Sequence, residues 1–102
     1  MSTQGTAEKD PAAGLRSTAE YRVVSVEPIA YLRLAVRFAD GLTGEVTLNK
    51  SSLIGVFQAL NDPALFARVT CEQGFVEWPG EIDLAPDAMY DEIRAHGQWI
   101  LD

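Results

Sequence analysis

"RFADGLTGEV", Arg37 to Val46, reads either as a charged corner or as a place for chemistry, and its register decides the fold. On its N-terminal side, "YLRLAVRF" alternates: Leu32, Leu34, Val36 and Phe38 point one way, Arg33, Ala35 and Arg37 the other, the period of a half-buried antiparallel strand. A two-residue loop at Asp40-Gly41 would set Val36 opposite Glu45 and turn Val46 and Leu48 onto the arginine face, because a slip of one residue inverts every side chain. A three-residue loop, Ala39-Asp40-Gly41, instead pairs Phe38 with Leu42, Val36 with Gly44, Leu34 with Val46 and Leu32 with Leu48. All the apolar residues then share one face. Such a loop is a type I turn followed by a left-handed residue, which suits Gly41, and Asp40 is a turn former.

Upstream, "YRVVSV" has the β-branched density of a strand and is closed by Glu27-Pro28. Downstream, Val56, Phe57, Leu60, Leu65 and Phe66 are spaced for two short helices, a stripe that serves as core or as a ligand groove. Asp62 is the expected N-cap of the second helix, with Pro63 at its first position. "RVTCEQ" and "FVEWP", separated by Gly74, read as a second hairpin with Cys71 inside its first strand. A last helix starts at Pro86-Asp87, carries Met89, Tyr90 and Ile93 on its inner stripe and stops at Gly97. The expected order is β-β-β-α-α-β-β-α, an α+β domain: a small antiparallel sheet of hairpins covered by short helices.

A chain of 102 residues holds one core at most, and 47% hydrophobic with 23% charged residues is a globular composition. Residues 1–20, poor in periodic apolar pattern, are expected to form a flexible tail before a single domain at 21–102. No apolar run approaches the roughly 20 residues of a membrane span. "MSTQGTAEKDPAAGL" lacks the basic start and apolar stretch of an export signal, so a cytoplasmic address is expected. Cys71 is the only cysteine and can form no internal disulfide. No basic or histidine neighbour in sequence activates it, which favours a buried structural role. His96, the only histidine, sits where the negative end of the last helix attracts it.

Charge is unevenly spread. From Tyr21 to Cys71 five basic residues stand against four acids, whereas Glu72 to Asp102 holds eight acids against Arg94. Such a segment repels phosphate backbones and attracts basic partners, or it is a solvated face that aids solubility. Glu81, Asp83, Asp87, Asp91 and Glu92 are the candidate interaction surface. Trp78 joins them as a hot spot if it is not a core anchor. Glu81, Asp83 and Asp87 match no calcium loop, and Asp87 is accounted for as an acid in the first turn of a helix. No nucleophile elbow or phosphate-binding glycine loop is present, so no catalytic residue, metal ligand or cofactor site is assigned.

Three blocks, "YRVVSVEPIAYLRLAVRFADGLTGEVTL", "GVFQALNDPALFARV" and "VEWPGEIDLAPDAMYDEI", resemble the small bacterial family catalogued as domain of unknown function 2442, over about Tyr21 to Arg94. "FADG", "F..L.DP..F..V" and "WP" followed by "DL.P..LY" carry the resemblance together. Gly80-Glu81 stands where the family usually has Asn-Gly. The resemblance implies a small α+β domain without an established reaction. Some members carry an added helix-turn-helix domain, which implies a regulatory or scaffold use, and others are encoded beside a second small protein in the manner of a toxin and antitoxin. With the chain ending at Asp102 no helix-turn-helix is expected, and direct nucleic-acid binding loses support. The expectation is a non-enzymatic module that binds another small, basic protein, antitoxin-like or regulatory, with self-association left open. The alternative is a metal- or small-ligand-binding accessory domain or a minor enzyme.

Overall fold

A computed structural model describes residues 21–102, so the expected tail at 1–20 lies outside the described residues. Strands β1 (Val23–Ala30), β2 (Arg33–Phe38), β3 (Thr43–Leu48) and β6 (Gln98–Leu101) form a four-stranded sheet in the order β1-β2-β3-β6. Between β3 and β6 the chain forms two 3-10 segments, Lys50–Ser52 and Gly55–Asn61, then helix α1 (Pro63–Phe66). Next come a two-stranded ribbon of β4 (Glu77–Trp78) and β5 (Ile82–Asp83), and helix α2 (Pro86–His96). The α+β class is borne out.

The β2–β3 register is the one that the apolar alternation demands. Leu34 faces Val46 and Val36 faces Gly44, while the Phe38 N–H donates to the Leu42 carbonyl at 2.8 Å and the Leu48 N–H to the Leu32 carbonyl at 2.9 Å. Gly41 closes the loop at φ 95°, a left-handed conformation that costs a side chain a clash with its own backbone. Leu34, Phe38 and Val46 are fully buried on the inner face, whereas Arg33 and Arg37 on the outer face are exposed.

Helix α2 covers that inner face with Met89, Tyr90 and Ile93, all buried, and Pro86 opens it as expected. It packs closely because Gly44 has no Cβ: one placed there would lie 2.5 Å from Ile93 Cγ2 and 2.8 Å from the Gly97 carbonyl oxygen. Gly97 ends α2 at φ 78° and reverses the chain onto the sheet. The reversal lays β6 parallel to β3, with Val46 beside Trp99 and Leu48 beside Leu101. This fourth strand, absent from the expected order, makes the sheet mixed.

Three local expectations change. Strand β1 does not stop at Glu27-Pro28 but continues to Ala30, which an edge strand permits because the missing proline N–H can face away from the ladder. The segment Gly55–Asn61 is 3-10 rather than α-helical, and Val56 is 62% exposed instead of joining the stripe. Leu60 and Phe66 are buried. The second hairpin shrinks to one bridge, Thr70 with Glu77, and Cys71 lies outside any strand. Its backbone has other partners: the Gly74 carbonyl accepts from the Val23 N–H at 2.8 Å, docking the turn on β1. Glu77–Trp78 pairs instead with Ile82–Asp83. Asp62 caps α1 as its position suggests, its carboxylate accepting from the Ala64 N–H at 3.0 Å.

Candidate functional site

Asp40, the residue on which the corner or site question turned, has two structural duties. One carboxylate oxygen accepts from the Leu42 N–H at 2.9 Å, and the other accepts from the Tyr90 hydroxyl. The β2–β3 turn is thereby latched to α2, with the Tyr90 ring edge-on to Phe38 at 5.1 Å between centroids. Burial raises the Asp40 carboxyl, but the bonds from Tyr90 and from the backbone outweigh it and leave it below the ordinary carboxylate value. The same bond, with burial and the Asp40 charge, holds the Tyr90 hydroxyl above its ordinary value against the opposing Arg94.

The latch has a definite pH dependence. A depressed acid stabilises the fold above its unfolded pKa of about 3.9, and that contribution is lost as pH falls through the lower folded value. A raised phenol contributes below its unfolded pKa of about 10 and loses the contribution as pH rises through the higher folded value. Tyr90→Phe removes the shared bond, so the Asp40 carboxyl, followed by NMR titration, should move up from its wild-type value. A titration curve unchanged by the substitution would disprove the latch.

The five acidic candidates all reach solvent: Glu81 and Asp83 about β5, and Asp87, Asp91 and Glu92 on α2. Asp87 and Asp91 are one helical turn apart and share a face. Glu81 takes φ 63° in the β4–β5 loop, directly after Gly80 at φ 96°. Among the described residues, no three histidine, cysteine or acidic side chains come together in a group able to hold a metal ion. Glu92 instead lies 4.0 Å from His96 across one turn of α2.

Trp78 does not belong to this surface. It is 2% exposed and its indole N–H donates to the Phe66 carbonyl at 2.9 Å, with the rings 5.8 Å apart. Of the two readings of this tryptophan, the core anchor is the one that the geometry bears out. Cys71 is half-buried; burial and then the Glu72 charge push its thiol up, only partly opposed by Arg22, so its nucleophilic thiolate is disfavoured.

One surface had no counterpart in the sequence reading. Pro28, Ile29, Ala30 and Tyr31 at the β1–β2 turn form an apolar groove with Pro63 and Phe66. Ile29 is 45% exposed and Tyr31 37%. The Tyr31 hydroxyl donates to the Leu60 carbonyl at 2.8 Å and its ring packs edge-on to Phe66, fixing one wall. Leu32, the next residue, takes φ 65°, an outlier for a bulky side chain, and is nonetheless buried. The signal was there in "EPIAY", an apolar run that the alternation of β2 leaves unburied.

Residues 23–95 match the family model described as protein of unknown function, DUF2442. The chain belongs to the DUF2442 family. No curated protein and no solved structure matches it significantly. The match begins with β1 and ends within α2, so the β2–β3 turn, the Asp40–Tyr90 latch and the acidic candidates all belong to the DUF2442 domain. Among the described residues no helix is long and apolar enough to cross a membrane.

Proposed function

We propose that this DUF2442 domain works by binding another protein, and that the acidic residues around β5 and α2 receive a small basic partner in an antitoxin-like or regulatory pairing within the bacterial cytoplasm. The observation that carries the reading is that Glu81, Asp83, Asp87, Asp91 and Glu92 are all exposed, in a stretch where Arg94 is the only Lys or Arg between Glu72 and Asp102. Negative potential concentrated there steers a basic protein and repels nucleic acid, whose phosphates need Lys and Arg to displace counterions.

The test is affinity capture by the tagged full chain, with Asp87→Lys/Asp91→Lys as the comparison. Recovery of one small basic protein at low salt, released by added salt and absent with the double variant, is the expected result. The variant should retain its circular dichroism, because exposed charges contribute little to stability. Equal recovery by the folded variant, or recovery of no basic protein, overturns the reading.

A further inference from the structure

The sheet has two edges, and they are not alike. Strand β1 carries Pro28 and two irregularities, between Val23 and Ser25 and between Pro28 and Ala30. Both devices discourage another strand from adding there. Strand β6, "QWIL", holds no proline, no lysine and no arginine, and among the described residues no strand pairs with its outer side.

The direction of its free backbone groups follows from its bonds to β3. The Glu45 N–H donates to the Gly97 carbonyl at 3.4 Å and the Asn49 N–H to the Leu101 carbonyl at 2.9 Å, with Val46 beside Trp99 between them. Successive residues of a strand turn their backbone groups to opposite sides. Trp99 and Leu101 therefore spend theirs on β3, and the N–H and C=O of Gln98 and Ile100 point off the sheet. Their side chains divide the other way. Trp99 and Leu101 pack half-buried on the core, while Ile100, 48% exposed, stands on the outer face beside Thr47.

The geometry points to a second copy of this chain as the occupant of that edge, its β6 antiparallel to the first about a two-fold axis at Ile100. Opposite residues in an antiparallel pair share a face, so only a register that pairs even with even and odd with odd keeps both inner faces together. Ile100 opposite Ile100 meets this condition and uses the whole strand. Moving the axis to Trp99 also keeps the faces but opposes polar Gln98 to apolar Ile100 on the outer face, and moving it to Gln98 would oppose Ile100 to His96, inside α2. In the Ile100 register the two Ile100 residues exchange both N–H···O bonds, and Gln98 opposes Asp102 as a second bonded pair. Trp99 then meets Leu101 on the inner face and isoleucine meets isoleucine on the outer. The Gln98 amide faces the Asp102 carboxylate, a donor against an acceptor, and Asn49 already steadies that carboxylate through its side-chain amide. The strand is thus complementary to its own antiparallel copy on both faces and along its backbone, and the two sheets become one.

So short a pairing is small beside the roughly 1,600 Å² of a standard interface, so the dimer is weak. Each chain carries a formal net charge of −7, so repulsion opposes association and added salt strengthens it. This is the reverse of the salt response expected for a basic partner, which separates the two proposals.

Sedimentation equilibrium of the full chain, from about 10 µM to about 1 mM, covers the range of such weak association. The expected result is a monomer–dimer equilibrium that tightens with salt. Ile100→Pro removes the N–H at the axis while leaving the bonds to β3, and should raise Kd about tenfold or more. Ile100→Lys sets two like charges face to face and should also weaken the dimer. Circular dichroism identifies which variants remain folded, and Ile100→Lys decides if Ile100→Pro does not fold. A wild type that stays monomeric throughout overturns the inference, as does a dimer that the folded variants form as tightly as wild type.

Discussion

Trp78→Ala is expected to lower the stability of the domain by about 3–5 kcal/mol, the range for removing a large buried aromatic side chain. The indole touches the Phe66 ring and closes the Phe66 carbonyl, so truncation leaves both a cavity and an unpartnered acceptor. Against a total of about 5–15 kcal/mol, such a loss brings the chain close to unfolding at room temperature. Trp78→Phe separates the two contributions: it keeps a ring in the space but gives up the N–H, and should lose about 1–3 kcal/mol. Urea denaturation of the two variants checks this, with alanine well below phenylalanine and both below wild type. Equal midpoints for alanine and wild type would return Trp78 to the surface, as an exposed hot spot.

Gly44→Ala is the second substitution with a large expected effect, although it adds one methyl group. The new Cβ meets both the Ile93 side chain and the fixed carbonyl of Gly97, so α2 has to move off the sheet. Overpacking of this kind costs about 1–3 kcal/mol. Ile93→Ala takes away the side-chain part of the conflict and leaves the carbonyl at 2.8 Å, so the double variant should lose less than the sum of the single losses. Strict additivity in denaturation midpoints would mean that the helix does not approach Gly44 closely.

What the sequence made legible follows from where its signals are local. The β2–β3 register was readable because only one loop length puts Leu34, Val36, Phe38, Val46 and Leu48 together. The starts of both helices were readable from Asp62-Pro63 and Pro86, because capping depends on neighbours in the chain. Strand β6 was not, since Gln98–Leu101 is too short to display alternation and its partner is β3, far away in sequence. The second hairpin misled for a related reason: Gly74 marks a true turn, but the Val23 N–H that claims its carbonyl could not be foreseen from the turn itself. The acidity was legible as composition; that all five acids are exposed and Trp78 is buried became visible only in the folded chain. The apolar run in "EPIAY" was visible, but that Ile29 and Tyr31 stay exposed and wall a groove with Pro63 and Phe66 is a tertiary property that the run alone does not carry.

Binding of a basic protein at the acidic surface is the central claim, and a rate tests it more directly than an affinity. Exposed charges act chiefly by steering, which alters how fast partners meet before it alters how long they stay. The measurement is the association rate of the captured partner, by stopped flow across a salt series, for wild type and for Asp87→Lys/Asp91→Lys. The predicted result is a rate lowered about tenfold or more by the double reversal at low salt, with a flatter salt dependence and unchanged circular dichroism. A folded variant that associates as fast as wild type at low salt would contradict the account.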